Sequence, residues 1–281
     1  MQTRSDSRPW TFYALATFFA LYVLFLYGPM ICIFVLSFQG PQGALSFPMR
    51  GLSLHWFEDL ISQTDTGDIH GAISRSIPLA IIVMAITVVV SVASGLAFRE
   101  RFRGSGVIFY AALVSLVAPG YVLGIGIGLM FQLLGLQTDW YTSALGAQLT
   151  WTLPFGLLIM FAIFGRFNRA YEEAGRDLGA DAGQVLRLVV IPIVLPGMIA
   201  VALFGFTLSY DEFARTLQTT GSTNTLPIEI WSMTTNVTSP VIYALGTVTT
   251  AFSFAVIIVS LSAIALIQRR RFGHARAGAG H

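Results

Sequence analysis

The sequence predicts an all-α membrane protein with six transmembrane helices, and two observations support that fold class. Of the 281 residues, 55% are hydrophobic and 11% are charged, whereas soluble domains carry about 25% charged residues. The chain also contains six stretches without a charged side chain, each longer than the roughly 20 residues that a helix needs to cross the bilayer. Helices are expected because a backbone in lipid must form its hydrogen bonds within its own segment.

The six spans are predicted to form a single transmembrane domain over residues 1–281. In chain order they cover residues 11–36, 76–98, 107–130, 141–165, 193–216 and 241–268. The first span follows Arg4 and Arg8, and its apolar run is too long for the roughly 7–15 apolar residues of a cleavable signal peptide, so we expect a retained anchor. In the third span, Gly120, Gly124 and Gly128 are spaced four residues apart, which allows close approach of a neighbouring helix.

The arginines predict the orientation of these spans. A cytoplasmic N-terminus places 13 of the 16 basic residues on the cytoplasmic side and leaves Arg50, Arg75 and Arg215 outside. Because positive charge accumulates in cytoplasmic loops, this orientation is strongly favoured. Six spans then return the C-terminus to the cytoplasm as well.

The composition excludes several classes of function. The chain has no lysine, so it cannot carry a P-loop, whose lysine contacts the nucleotide phosphates. Its net charge of +2 is small for a protein that follows nucleic-acid phosphates. The four histidines show no metal-ligand spacing, and no GxSxG nucleophile motif is present in the sequence. We therefore expect no catalytic residues, no metal or cofactor on this chain and no nucleic-acid partner.

The loop at residues 166–192, between the fourth and fifth spans, is predicted to form a helical hairpin. Its first half carries apolar residues at helical spacing on one face. Gly179 suits the left-handed conformation that ends a helix, and Asp181 can cap the next helix, with Gln184 completing a capping box. From the residues alone, this hairpin is either a solvated loop packed on its own bundle or a docking element for a partner.

The same loop contains the longer pattern Glu173-Ala174-Gly175-x3-Gly179-x9-Val189-x-Ile191-Pro192. This pattern resembles the EAA loop of the permeases of binding-protein-dependent ABC transporters, which reads EAA, three residues, Gly, nine residues and Ile-x-Leu-Pro. The spacing is the same throughout, and Gly175 stands in place of the second alanine. In that family the loop forms a coupling helix that sits in a groove of the ATPase subunit. The resemblance therefore implies a role in ATPase coupling for a set of loop residues: Glu173, Ala174, Gly175, Gly179, Asp181, Leu188 and Pro192.

The resemblance extends over most of the chain. Residues 29–60 and 208–248 are similar to spermidine/putrescine-type permeases, in particular to the C-type subunit of a heterodimeric pair. This similarity implies the type I ABC importer permease fold, a place in the bacterial inner membrane, and one half of a translocation pathway for a polyamine or related small amine. It also implies three kinds of partner: a second permease subunit, two ATP-binding subunits that hold ATP and Mg²⁺, and a periplasmic substrate-binding protein.

Two alternatives remain open at this point. An importer of the same type can carry another small solute, such as an amino-acid derivative, a phosphonate or ferric ion. The other alternative is a stand-alone secondary transporter. Six spans without a detectable inverted repeat make an incomplete pathway for one chain, however, and the EAA-like loop would then have no role.

Candidate pathway residues lie at the outer end of the fifth predicted span. Asp211 and Glu212 are ionisable residues at depth in the membrane, where such residues usually mark a functional site. Paired carboxylates suit a cationic substrate, and three aromatic residues can add cation–π contacts: Tyr210, Phe213 and Trp231. Glu229 is a further candidate. In the alternative interpretation the pair is interfacial and Arg215 is its counter-ion, so we expect the carboxylate that is not paired with Arg215 to face the pathway.

Overall fold

The computed structural model describes residues 9–62, 67–100, 102–236 and 239–278. Within these residues the chain forms α-helices, a π-helical segment (Val185–Val190), a 3₁₀ turn (Thr216–Gln218) and an isolated β-bridge between Gln39 and Leu52. The α-helices are α1 (Trp10–Leu36), α2 (His55–Ser62), α3 (Ile69–Ala97), α4 (Ser105–Val117), α5 (Gly120–Leu133), α6 (Ser143–Gly165), α7 (Ala170–Asp177), α8 (Ala182–Gln184), α9 (Ile191–Tyr210), α10 (Leu226–Asn236) and α11 (Val241–Gly278). The predicted all-α fold class is confirmed.

Among the described residues, five helices are long and apolar enough to cross a membrane. They are α1, α3, α6, the continuous helix Ala182–Tyr210 and the part of α11 up to Leu266. The bent pair of α4 and α5 brings the number to six when it is taken as one span. Arg4, Arg8 and Arg101, which belong to the predicted arginine pattern, lie outside the described residues.

The prediction of a continuous third helix over residues 107–130 is wrong. The chain forms α4 and α5 instead, and their axes differ by 107° at the break. Ala118 has an extended backbone with a ψ of 131°, and Pro119 precedes the first turn of α5. Because proline lacks an N–H and disfavours a helical conformation in the preceding residue, α4 ends at Val117.

The fifth span begins and ends earlier than the predicted residues 193–216. α8, the π-helical segment and α9 form one helix from Ala182 to Tyr210. The π-helical segment directly precedes α9, whose second residue is Pro192. The ring and missing N–H of this proline interrupt the regular α-helical hydrogen bonding with the turn before it. At the other end, Asp211 is the C-cap of α9.

The second span also begins earlier than predicted, at Ile69 instead of residue 76. Asp68 explains the early start, because its Oδ1 accepts a hydrogen bond from the Gly71 N–H at 3.0 Å and caps the helix. The first two turns of α3 therefore extend beyond the charge-free stretch that defined the predicted span.

The chain divides into two compact units, which are described separately. The larger unit consists of Gly67–Ser232 and the chain from Phe252 onward. Its core lies where α3, α6 and α9 contact one another. Each of these helices contributes fully buried apolar side chains, among them Val83, Met160 and Val201. Because lipid tails are as apolar as these side chains, close van der Waals packing between the three helices, and not removal from water, is the main favourable term.

Contacts within the larger unit show which helix ends share a face. Arg99, just after α3, forms a salt bridge with Glu172 in α7, so the end of α3 lies beside the loop that follows α6. At the opposite face, the Ser143 hydroxyl at the start of α6 donates to the carbonyl of Thr219, beyond the end of α9, at 2.6 Å. Since α3 ends at the first face and α6 begins at the second, the bent α4–α5 pair carries the chain from one face to the other.

The smaller unit contains α1, α2 and the beginning of α11. Gln39 organises the segment after α1: its Nε2 donates to the Ala44 carbonyl at 2.7 Å, and its Oε1 accepts from the Arg50 N–H at 3.0 Å. The side chains of α1 are predominantly apolar and mostly exposed. Such a helix is suited to lipid or to another membrane chain as its neighbour.

Candidate functional site

The turn between α7 and α8 is closed by a glycine. Gly179 has a φ of +85°, a conformation that residues with a side chain rarely adopt. Its N–H donates to the Arg176 carbonyl at 2.8 Å, and the Ala180 N–H donates to the Gly175 carbonyl at 3.1 Å. Together these bonds form a Schellman motif, which satisfies the free carbonyls at the end of α7. The predicted left-handed conformation of Gly179 is confirmed.

The helix that follows begins with a reciprocal cap. The Gln184 N–H donates to Asp181 Oδ1 at 2.8 Å, and the Asp181 N–H donates to Gln184 Oε1 at 2.9 Å. This arrangement is the predicted capping box. Backbone hydrogen bonds therefore close the hairpin turn from both sides.

Gly175 lies on the inner face of the hairpin. A Cβ at this position would lie 3.4 Å from Cγ2 of Val185 and 3.5 Å from Cγ2 of Val189. These are ordinary van der Waals separations, so the alanine that the EAA pattern has here would fit. Pro192, the last residue of the pattern, is the second residue of α9.

The outer face of the hairpin combines charge with apolar surface. Glu173 and Ala174 are exposed, and two leucines of the hairpin, Leu178 and Leu188, are 90% and 68% exposed. Because hydrogen bonds close the turn at both ends, the backbone of the hairpin is already ordered. Binding a partner through these side chains would therefore cost little further conformational entropy. This face can therefore act as a preorganised contact surface for another protein.

A second cluster lies where α9 ends. The Glu212 carboxylate accepts from the Arg215 N–H at 2.8 Å and forms a salt bridge with Arg215 Nη1 at 3.3 Å. Both side chains are buried, with 5% and 6% exposed. The Arg215 guanidinium also lies 4.8 Å from the centre of the Trp151 ring. Arg215 therefore neutralises Glu212, and the alternative pairing with Asp211 is not observed.

Asp211 is exposed and, within the part of the chain that the structure describes, forms no salt bridge. Its side chain lines a cavity of about 460 Å³, together with Trp151, Thr207 and Phe213. Among the described residues, the cavity wall thus holds one carboxylate without a counter-ion, the paired Glu212 and Arg215, and two aromatic rings. The Asp211 carboxylate can attract a cation by charge and the Phe213 ring by its face, whereas the Trp151 ring already lies against the Arg215 guanidinium.

The other aromatic candidates differ in their positions. Tyr210 packs inside the larger unit, with its ring stacked on that of Phe206 at 5.9 Å between centres and tilted against that of Phe252 at 5.2 Å. Trp231 contacts Phe213 at 5.7 Å between ring centres. The structure therefore brings Asp211, Glu212 and Phe213 together at the cavity, with Trp231 against the Phe213 ring.

Glu229 belongs to a different hydrogen-bonded network. It is buried, and its carboxylate accepts from the Asp68 N–H at 3.1 Å and from Asn224 Nδ2 at 2.8 Å. Arg75 links the same two neighbours, since its Nε donates to the Asn224 carbonyl at 2.7 Å and its Nη2 lies 2.8 Å from Asp68 Oδ2. The hydrogen bond from Arg75 holds the pKa of Asp68 below its usual range. Glu229 thereby joins the start of α3 to the loop before α10.

The spaced glycines of α5 contact the turn that contains Arg215. A Cβ at Gly124 would lie 2.6 Å from the Arg215 carbonyl oxygen, and one at Gly128 would lie 2.8 Å from the Gln218 carbonyl oxygen. Close approach at these glycines was predicted from the sequence, but the partner is a turn and not a helix. Glycine is required here because no side chain fits between the two backbones.

Two residues at this end of the larger unit were missed in the sequence analysis. Trp151 covers Arg215, and Gln148 links α6 to the segment beyond α9 by donating to Thr216 Oγ1 at 2.9 Å. Gln148 is also the acceptor for the Ser209 hydroxyl. A glutamine within an apolar span was a usable signal, because a buried amide needs hydrogen-bond partners from other elements.

The family model described as "binding-protein-dependent transport system inner membrane component" matches residues 72–274, which include both the hairpin and the cavity. The chain belongs to this family. This inner membrane component is 28% identical over 247 residues to the spermidine/putrescine transport system permease protein PotC of Haemophilus influenzae, covering 87% of this chain and 93% of the relative. It is 29% identical to PotC of Escherichia coli K12, covering 84% of this chain and 88% of the relative.

Solved structures share the fold of this inner membrane component. A chain of a bacterial ABC transporter involved in import of the acidic polysaccharide alginate matches with a TM-score of 0.66 and 13% identity, covering 92% of this chain and 96% of that chain. A chain of the inward-facing MetNI methionine ABC transporter matches with a TM-score of 0.57 and 14% identity, covering 71% and 95%. At these identities the likeness shows the fold alone, which is that of ABC importer permeases. With its apolar helices, the family member is a multi-pass inner membrane protein.

Proposed function

We propose that this permease subunit of an ABC importer transports a polyamine or a related small amine. The substrate class is supported by the Asp211 carboxylate, which lies at the cavity and has no counter-ion among the described residues, while Glu212 is paired with Arg215. A cationic amine gains most from a carboxylate that is not already neutralised. The relatives named for spermidine and putrescine transport support the same class.

The partners of the subunit are a second permease that completes the pathway, two ATP-binding subunits and a periplasmic substrate-binding protein. The need for a binding protein is supported by the family description, and the ATPase contact by the exposed face of the hairpin. ATP and Mg²⁺ are held by the ATP-binding subunits. This chain performs no chemistry: it forms half of the pathway and transmits movement.

In the proposed cycle, ATP binding closes the pair of ATP-binding subunits and displaces the hairpins that dock on them. The two permeases then rock between inward-open and outward-open arrangements. Residues Glu173, Ala174, Leu178 and Leu188 are the contact residues of this chain. Gly175, Gly179, Asp181 and Pro192 shape the hairpin that presents them.

We also propose that both termini and the hairpin lie in the cytoplasm. Support comes from the arginine pattern and from the salt bridge between Arg99 and Glu172, which puts two arginine-rich segments at the same face. Reporter fusions after residue 268 are expected to read cytoplasmic, and fusions in residues 219–225 are expected to read periplasmic. The opposite pattern would overturn this orientation.

Reconstitution tests the proposed function directly. Proteoliposomes that contain this chain, its second permease and the ATP-binding subunits are expected to take up labelled putrescine or spermidine only with ATP on the cytoplasmic side and binding protein on the other. Uptake without the ATP-binding subunits would mean a stand-alone transporter. Uptake of an amino-acid derivative, a phosphonate or ferric ion instead of a polyamine would refute the substrate class.

The hairpin turn provides a sharper test of ATPase coupling. A Gly179→Val variant is expected to lower both uptake and substrate-stimulated ATP hydrolysis several-fold, because a β-branched residue at positive φ costs about 1–2 kcal/mol. A Gly179→Asn variant is the matched control, since asparagine tolerates this conformation. The space around Gly179 is open, so the two variants differ in backbone strain and not in packing. Normal coupling in the valine variant would contradict docking through this turn.

A further inference from the structure

Arg99 occupies an enclosed position between α3 and the docking hairpin. It follows the C-cap of α3, and its side chain is only 12% exposed. The guanidinium lies 4.9 Å from the centre of the Phe167 ring and 5.6 Å from that of Phe164. The two rings hold the planar group in place and shield it from water, which strengthens its interaction with an opposite charge.

The opposite charge is supplied by α7. Arg99 Nη1 forms a hydrogen-bonded salt bridge with Glu172 Oε1, and the Glu172 side chain is 15% exposed. The two residues are 73 positions apart in the chain. Glu172 is therefore turned toward the bundle, whereas the next residue, Glu173, is exposed on the outer face of the hairpin.

A second arginine, on the hairpin side, binds the segment that follows α3. Arg169, directly before α7, donates from Nη2 to the Arg99 carbonyl at 2.7 Å and pairs through Nη1 with Glu100 Oε1 at 2.9 Å. The Arg169–Glu100 pair is largely exposed, so it contributes little by itself. It does show that the end of α3 and the start of α7 are joined from both sides.

We propose that Arg99 and Glu172 are positioning residues that make α3 move with the docking hairpin. Chain connectivity ties α7 directly to α6 and, through α8, to α9, whereas α4, α5 and α6 separate α3 from the hairpin in the chain. α3 is also a helix of the packed core with α6 and α9. The salt bridge adds a direct link between the end of α3 and α7, so that displacement of the hairpin acts on α3 at this end as well as through the core.

This inference rests on the proposed docking of the hairpin on an ATP-binding subunit, and the experiment separates the two. Arg99→Glu, Glu172→Arg and the double exchange are compared in the assembled, reconstituted transporter. Arg103→Glu is the matched control, because Arg103 is exposed in the same segment after α3. Three quantities are measured: co-purification of the ATP-binding subunits, ATP hydrolysis, and substrate transported per ATP hydrolysed.

Each single reversal is expected to retain the ATP-binding subunits and ATP hydrolysis but to transport about tenfold less substrate per ATP, a typical size for a coupling effect. The double exchange is expected to restore at least half of the lost transport of substrate per ATP. A general packing role of the two side chains would not give this rescue. Glu172→Gln keeps the shape and a hydrogen-bond acceptor, so it provides a milder variant with a smaller loss if a reversal impairs insertion.

Two results would overturn the link. One is an unchanged transport ratio in Arg99→Glu and in Glu172→Gln. The other is loss of the ATP-binding subunits from the single reversals, because the pair would then shape the docking surface and not transmit its movement. Failure of the wild-type chain to retain ATP-binding subunits would instead refute the proposed function.

Discussion

An Asp211→Asn variant is expected to import a polyamine at least about tenfold more slowly than the wild type, because each tenfold corresponds to about 1.4 kcal/mol of lost interaction with the cation. The amide has the shape of the carboxylate but no charge. Since Asp211 is exposed and forms no salt bridge among the described residues, folding should not depend on it. Initial uptake rates in proteoliposomes measure the effect, and substrate binding by the periplasmic protein should be unchanged.

Glu212→Gln is the matched variant one residue further on, and it should fail for a different reason. It leaves the buried Arg215 charge without its partner, which destabilises a protein by about 3–5 kcal/mol. We expect a lower unfolding temperature in detergent and less folded protein in the membrane, whereas Asp211→Asn should match the wild type in both. Wild-type uptake in Asp211→Asn would remove the main structural argument for a cationic substrate.

A Gly124→Ala variant is expected to lower the stability of the larger unit by about 1–3 kcal/mol, the usual range for overpacking a close contact. The added Cβ would lie 2.6 Å from the Arg215 carbonyl oxygen and 3.1 Å from its Cα. Both are backbone atoms, so α5 or the turn beyond α9 must shift as a whole. That shift would disturb the salt bridge between Arg215 and Glu212.

Gly126→Ala is the control on the same helix, because a Cβ there meets nothing within 4 Å. Alanine favours a helix over glycine by about 1 kcal/mol, so this variant should be as stable as the wild type or slightly more stable. Gly124→Ala should therefore lower the unfolding temperature in detergent, whereas Gly126→Ala should leave it unchanged or raise it. Equal unfolding temperatures would contradict a close contact between α5 and the turn.

Local sequence was sufficient to predict most of the helical spans and the conformation of the hairpin turn. The apolar spans could be predicted because a membrane requires long uncharged segments with internal hydrogen bonds. The hairpin turn could be predicted because its interactions join near neighbours: Gly179 bonds to Arg176, and Asp181 bonds to Gln184. The bend at Pro119 was missed, although proline is a local signal, because a proline within a membrane span is compatible with a continuous helix as well as with a break.

For the cavity, the sequence could predict only a list of candidate residues. The adjacent carboxylates Asp211 and Glu212 have nearly the same spacing to Arg215, so sequence could not decide which of them is neutralised. That choice depends on where the chain turns after Tyr210 and on Trp151, a residue of α6 that covers the guanidinium. Likewise, Glu229 was identified as an ionisable residue, but its contact with Asp68 joins positions 161 residues apart.

By itself, the sequence determined the membrane class, the approximate positions of most spans and the conformation of the hairpin turn, because hydropathy and capping act within a few turns of the chain. Only the tertiary structure decided that Glu212 and not Asp211 pairs with Arg215, that the α5 glycines meet a turn, and that Arg99 reaches Glu172. Each of these contacts depends on how an element ends or packs on its neighbours, which no spacing in the sequence specifies.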